Sequence, residues 1–426
     1  MTSSGSSSAP RPLWQGRLLA FLGIVLVAFS LRSAVASLSP ILVEVNADFA
    51  VPSWVVGLIG AAPPVCFAVF GIVTPALERR FGLERLAAAS MVVAGLAMLG
   101  RALVGDAVGL LLVTTVLFAA VGVGNVVLPP LIKRYFPDRT GSMTALYSAL
   151  LAVAAFVPPL VAVPIAEAAG WRISLGLWAV FAFAAIVPWV TMLAGAARTD
   201  RRAGAALAET DDDIDIDEPT PRVLGRLVGV PLAWALAASF AVSSASVYAC
   251  FAWLPTVLVE HAGVSHAAAG ALLALFGALG MPWSLLVPMI ISRTGRVGFM
   301  YVGALVTGLA GALGMVFAPT TATILWVVLL GVPQGLFPGV LVLIQRRSRT
   351  HEGAVALSSF TQSVGYAIAA IFPLAFAILH ETTGGWVAPL LVLGALFLVT
   401  IPAGYVVTRT RTIEEEWEKR SERAWT

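Results

Sequence analysis

Gly122-Val-Gly-Asn125-Val-Val-Leu-Pro129 and Gly331-Val-Pro-Gln334-Gly-Leu-Phe-Pro338 align without a gap, and each lies inside a long apolar run. Three more pairs keep the same order along the chain. Pro40-Ile-Leu-Val-Glu44 answers Pro255-Thr-Val-Leu-Val-Glu260 with one insertion; Arg80-Phe-Gly82 answers Arg293-Thr-Gly295; Gly170-Trp171 answers Gly385-Trp386. One such match is weak, but four in register point to a duplicated chain. Between these marks run apolar segments of the length a bilayer requires, roughly 20 residues each. We count twelve, near 17–39, 53–76, 86–104, 107–131, 141–165, 172–194, 230–256, 267–291, 297–317, 321–344, 354–379 and 386–408. Backbone groups in hydrocarbon must be satisfied within their own segment, so the runs are helices. They lack the alternation of a membrane barrel. The expected fold is all-α: twelve transmembrane helices in two pseudo-symmetric six-helix bundles.

Composition agrees. Of 426 residues, 59% are hydrophobic and only 12% charged, which no water-facing surface tolerates. A soluble enzyme, a disulfide-rich secreted domain and a nucleic-acid binder are excluded, and a net charge of +3 offers no polyanion site. Cys66 and Cys250 lie far apart in apolar runs and read as small core residues. All Lys and Arg residues except Arg32, Arg101 and Arg172 fall in the tails or in loops after even-numbered helices. The positive-inside bias therefore expects both termini in the cytoplasm. Arg11, Arg17 and Ala34-Val35-Ala36 imitate a cleavable leader, but Arg32 interrupts its apolar run, so retention is expected. The expected organisation is a cytoplasmic tail (1–16), a first bundle (17–195), an acidic linker (196–229), a second bundle (230–408) and a cytoplasmic tail (409–426). The linker carries Asp211-Asp212-Asp213, Asp215, Asp217 and Glu218 and reads as a solvated, mobile segment.

A finer pattern runs through the spans. Leu31-Arg32-Ser-Ala-Val with Ser39-Pro40, Arg79-Arg80-Phe-Gly82-Leu-Glu84-Arg85 and Gly124-Asn125-Val-Val-Leu-Pro129 occur in the first half. With them come Lys133-Arg134 and Phe136-Pro-Asp-Arg139. Trp253-Leu-Pro255, Gln334-Gly-Leu-Phe-Pro338, Gln362-Ser-Val-Gly-Tyr366 and His380-Glu-Thr-Thr-Gly384 occur in the second. Together they resemble the major facilitator superfamily, and within it the cyanate/nitroimidazole permease (CynX/NimT-type) branch, over about residues 31 to 386. The resemblance implies a secondary transporter whose first, fourth, seventh and tenth helices line a central cavity. It implies a small-molecule substrate, cyanate-like or nitroimidazole-like. The loop after the second helix departs from the wider family, with Arg79 where an aspartate is usual and Pro75 where a glycine is usual. Any gate there would use Arg79, Arg80 and Arg85.

The polar residues within the spans are few. All Asp, Glu and His residues lie in loops, tails or helix ends, which argues against a built-in proton relay. Arg32 stands about 22 Å along its helix from Arg17 and about 18 Å before Glu44, near mid-bilayer. Its planar fork suits a small oxyanion or carboxylate, unless it only bonds helix-end carbonyls. Arg101 and Arg172 sit at outer helix ends, where snorkelling or pairing, as of Arg101 with Asp106, accounts for them. Asn125 and Gln334 hold equivalent repeat positions at depth; they orient substrate or tie helices together. Gln362 and Tyr147 lie at similar depth. Tyr248 and Trp253 either stack a ring or belong to an interfacial aromatic belt. The prolines at 63–64, 158–159, 333, 338 and 373 suggest kinks. Gly277-Ala-Leu-Gly280 and Gly308-Leu-Ala-Gly311 read as close helix packing.

No Gly-Lys-Ser/Thr phosphate loop is present, since Lys133 and Lys419 are each followed by arginine. No nucleophile–base pair or metal set lies within the spans, so the chain is not expected to be an enzyme and no cofactor or metal is expected. The expected function is secondary transport of a small anion or small heteroaromatic molecule by alternating access. Efflux of drug-like molecules and ligand sensing without transport are the alternatives. The expected partners are the substrate and the lipid bilayer, and the expected assembly is a monomer. The arginine-rich, alanine-rich composition points to a bacterial cytoplasmic (inner) membrane.

Overall fold

A computed structural model describes residues 17–203, 221–409, 411–422 and 425. The N-terminal tail and the acidic run 211–218 lie outside them. Twelve helices are long and apolar enough to cross a membrane. The first six are α1 (Leu18–Asp48), α2 (Ser53–Phe81), α3 (Leu83–Leu103), α4 (Ala107–Tyr135), α5 (Pro137–Ala169) and α6 (Trp171–Ala194). The second six are α7 (Pro231–Glu260), α8 (His266–Thr294), α9 (Gly298–Phe317), α10 (Thr323–Arg346), α11 (His351–Thr383) and α12 (Val387–Val407). They form two bundles of six. At one face lie the arginine-rich loops, here the basic face; the other is the opposite face. Helix continues past α6 to Ala203, and a short helix spans Pro221–Leu227, so the linker region is partly helical. A last helix, α13 (Ile413–Ser421), opens on a capping box made by Thr412 and Glu415.

The repeated motifs have structural counterparts. Gly82 and Gly295 both adopt positive φ, 80° and 67°, which a side chain would resist. Gly82 alone separates α2 from α3, so the chain reverses in one residue. At the opposite face the Trp171 indole N–H donates to Asp48 at 2.9 Å, and that of Trp386 to Glu260 at 2.7 Å. Each half thus ties the end of its first helix to the start of its last. The carboxylate that corresponds to Glu260 in this tie is Asp48, not Glu44.

Prolines act in two ways, and both halves show each. Pro63-Pro64 and Pro158-Pro159 lie inside unbroken helices. Other α-helical segments end at Ala36 in the first half and at Ala278, Ala369 and Leu398 in the second. Each end lies four residues before a proline: Pro40, Pro282, Pro373 and Pro402. A proline ring clashes with the carbonyl four residues back and removes its donor, so the ladder stops there. Pro333 instead sits in the 3-10 turn Val332–Gly335 that splits α10.

Helix α7 is the most enclosed span, with 89% of its central window buried. Small residues let the bundles meet closely. A methyl group at Gly60 of α2 would lie 2.7 Å from Ala252 Cβ of α7. At Gly277 of α8 it would lie 2.8 Å from the Ala155 carbonyl oxygen of α5. Gly270 of α8 meets the Pro159 carbonyl and Pro40 in the same way. These contacts between bundles all lie on the half away from the basic face. Gly308 and Gly311 pack within the second bundle, against Phe397 and Leu330.

Candidate functional site

Arg32 is half-buried in α1, with three tyrosines within electrostatic reach: Tyr147 of α5, Tyr248 of α7 and Tyr366 of α11. The Tyr248 and Tyr366 rings lie 6.4 Å apart between centroids, tilted by 57°. Aromatic rings complete the wall. Phe67 of α2 meets Tyr366 edge-on at 5.7 Å and Tyr248 at 6.4 Å between centroids. Phe240 of α7 meets Tyr366 at 4.8 Å, nearly perpendicular. Such edge-to-face contacts fix the rings, so the hydroxyls are held in place. The first bundle supplies the charge, and the second supplies two of the three hydroxyls facing it.

Arg32, Tyr147 and Tyr248 thus come together as one group. Asn125 stands at the same depth, because a methyl at its neighbour Gly124 would lie 2.8 Å from Leu31 Cδ2. Its Nδ2 donates to the Val121 carbonyl in its own helix at 3.2 Å. Gln334 donates to the Phe276 carbonyl of α8 at 2.8 Å, a tie between helices. Gln362 donates to Ser358 Oγ at 2.9 Å, one turn before Tyr366. Trp253 is turned away from this group. It is buried within the second bundle, donates to the Pro373 carbonyl at 2.8 Å and packs on Trp386.

Arg79, Arg80 and Arg85 are exposed at the basic face. The Arg80 guanidinium lies over the Phe81 ring at 5.4 Å. The nearby acid Glu84 accepts a hydrogen bond from Tyr135 at 2.7 Å and pairs with Arg134 at 3.6 Å, which ties the start of α3 to the end of α4. At the opposite face Arg172 pairs with Asp48 and stacks over Trp171. Arg101 takes neither expected course. Asp106 instead caps α4 by accepting from the Gly109 N–H, and Arg101 turns inward, 2% exposed.

Tyr366 and Phe67 were not singled out by the sequence. For Tyr366 a signal existed: it follows Gln362 by four residues, on the same helix face. Phe67 lies in a continuous apolar run and carries no such mark. Cys66 and Cys250 are both free and buried. No group of three His, Cys, Asp or Glu residues that could hold a metal exists among the described residues.

A charged, aromatic-walled centre between two six-helix bundles defines a secondary transporter, and the chain belongs to the Major Facilitator Superfamily, whose pattern it matches over residues 20–370. It is a transporter, not an enzyme. Among its relatives, the 2-nitroimidazole transporter of Escherichia coli is 30% identical over 97% of this chain and 100% of its own length. The cyanate transport protein CynX of the same organism is 27% identical over 89% and 96%. An uncharacterized transporter of Bacillus subtilis, YycB, is 28% identical over 94% and 96%. A bacterial homologue of the human lysosomal transporter Spinster, solved inward-facing and unoccupied, shares the fold. Its TM-score is 0.71 at 13% identity, over 96% of this chain and 99% of its own.

Proposed function

We propose that the protein carries a small anion, with Arg32 as the group that binds it. The observation that supports this is the Arg32 surround: three tyrosines and no partner carboxylate among the described residues. A guanidinium held this way keeps its charge for a visitor, and the tyrosine hydroxyls add donors to an anion. Asn125, Gln334 and Gln362 have amide oxygens and second N–H groups to orient it. The relative named for cyanate supports the same class, and the one named for 2-nitroimidazole is the ground for the second reading below. Both cargoes present electron-rich ends that a guanidinium fork accommodates.

A second reading rests on the rings. Phe67, Phe240, Tyr248 and Tyr366 form edges against which a flat heteroaromatic can pack. In that case a nitro group would face Arg32 and transport would run as efflux.

On this proposal the basic face is cytoplasmic, as are both termini, and the protein resides in the bacterial inner membrane. The contacts between bundles on the opposite half support a state closed to the outside. The domain bounds proposed are 17–195 and 230–408, joined by 196–229. Radiolabelled cyanate flux into proteoliposomes tests the reading. Saturable flux that Arg32→Gln loses, while still folded, supports the anion carrier. Absence of flux in folded wild type removes cyanate and directs the assay to 2-nitroimidazole efflux. Ligand-induced stabilisation without flux of either compound would instead support a sensor.

A further inference from the structure

Arg101 lies in α3, 2% exposed. Its Nη1 donates to the Ala34 carbonyl of α1 at 3.0 Å, while its Nε and Nη2 have no partner. No carboxylate pairs with it among the described residues. Two further buried donors nearby are equally unpartnered: Thr114 Oγ1, on a fully buried residue of α4, and Ser39 Oγ in the 3-10 turn Ser39–Ile41 that interrupts α1. All three residues line one cavity of about 30 Å³, together with Ala34, Phe118 and Tyr248. A single water needs roughly 10–15 Å³ on the same measure, so the space fits two waters or one three-atom anion.

Four orphaned donor atoms, in three side chains, converging on one apolar-walled cavity are unusual, because buried polar groups are nearly always satisfied. One of them also carries a charge. Water can complete the hydrogen bonds but leaves the charge uncompensated in a low-dielectric surround. An anion satisfies both. Ala34 follows Arg32 by two residues and Ser39 by seven, so these α1 residues of the cavity wall lie about 3 to 10 Å beyond Arg32 toward the opposite face. Tyr248 faces Arg32 and also lines this cavity.

We propose that Arg101, Thr114 and Ser39 form a second anion site, for a small monovalent anion of about three heavy atoms. Tyr248 is the wall it shares with Arg32. The site is a waiting position through which the anion passes on its way to or from Arg32. That passage rests on Arg32 being the transport site; the existence of the second site does not.

The test is equilibrium binding of radiolabelled cyanate to the purified full-length chain, with melting profiles as the folding check. Wild type is expected to bind two anions per chain, and Arg101→Gln and Arg32→Gln one each. Thr114→Val combined with Ser39→Ala keeps Arg101 in place. It is expected to weaken the second site on the order of 100-fold, since each of the two hydrogen bonds lost to a charged group is worth about tenfold. That pair carries the test if Arg101→Gln fails to fold. Binding of a single anion by wild type, lost in Arg32→Gln alone, overturns the proposal and leaves water in the cavity. So does unchanged stoichiometry in folded Arg101→Gln, or unchanged affinity in the Thr114/Ser39 pair. If Arg32→Gln keeps full flux while Arg101→Gln loses one bound anion, the second site stands and the Arg32 reading falls.

Discussion

The two halves of the molecule descend from one pattern but differ in two physical respects. In the first half two of six helices are interrupted, α1 beyond Ala36 and α6 beyond Gly176, and the half contributes the charge, Arg32. In the second half four of six helices are interrupted, three of them four residues before a proline. That half contributes Tyr248 and Tyr366 and the ring contacts that hold them. Duplication thus conserves the frame, seen in the matching indole–carboxylate ties at Trp171 and Trp386, and frees the interior to diverge. On the proposed function the first half supplies the anion's charge from α1, itself broken four residues beyond Arg32, and the second closes hydroxyls over it.

Removing the charge should break this division most severely. Arg32→Gln is expected to lower cyanate flux by on the order of 100-fold or more, since truncating one member of a desolvated charged contact has effects of that size. Flux within a factor of two of wild type, in a folded variant, would remove Arg32 from the site. Removing hydroxyls from the other half should do less. Tyr248→Phe and Tyr366→Phe keep the rings and are each expected to weaken anion transport about tenfold. If cargo is heteroaromatic, these changes should be mild, and replacing the rings by alanine should be the damaging step. Comparing phenylalanine and alanine variants on both cargoes therefore separates the two readings.

The equivalent amides sharpen the comparison on a smaller scale. Gln334 ties α10 to α8 through the Phe276 carbonyl, whereas Asn125 bonds within its own helix. Gln334→Ala is expected to cost about 0.6–2 kcal/mol of stability, the range for hydrogen bonds between membrane helices. Asn125→Ala should leave stability nearly unchanged, so any loss of transport there reports contact with substrate. Equal destabilisation by both in thermal unfolding would show that the halves use this repeat position alike.

Much of this was legible in the sequence, for reasons that also explain what was not. The spans follow from hydropathy and length, and the duplication from four motifs in order. Arg32 announced itself because a charge in hydrocarbon is costly. Arg101 was misread because distance from the helix end was weighed without side-chain direction. Side chains on a helix lean toward its N-terminus. Arg101 ends a helix that runs from the basic face to the opposite face, so it leans back into the protein and reaches Ala34. Arg172 begins a helix at the opposite face, so it leans outward and reaches Asp48. The breaks at Ala278 and Leu398 were equally readable, four residues before Pro282 and Pro402. That rule does not foretell Pro63-Pro64, which lie inside an unbroken helix. Trp253 and Tyr248 were read together, as ring-stacking or belt residues, but five residues along a helix put the two on different faces.

The weakest expected effect concerns the end of the chain, where again only the second half shows the feature among the described residues. Helix α13 docks on the basic face of the second bundle: the Ile413 N–H donates to the Arg347 carbonyl at 2.9 Å, and Glu416 accepts from the Leu232 N–H at 3.0 Å. Arg349 pairs with Glu415 and lies 3.7 Å from Glu418. The hydrogen bond from Arg349 holds the Glu415 carboxyl below its ordinary value of 4.5, with the Thr412 N–H and the charges of Arg349 and Arg411 acting the same way. A depressed carboxylate stabilises docking fully above its undocked pKa and loses that contribution as pH falls through the docked one. Amide exchange at Ile413–Ser421 should therefore accelerate below about pH 4.5 relative to the spans, after correction for the intrinsic pH dependence of exchange. High salt at neutral pH should produce part of the same change, because the pair is exposed and screened. Glu415→Gln should remove most of the pH dependence while leaving slower exchange than deletion of the Thr412 cap. Exchange at α13 that tracks the spans through this range would mean the hydrogen bonds to Arg347 and Leu232, with the burial of Ile413, hold the helix, and the ion pair is incidental.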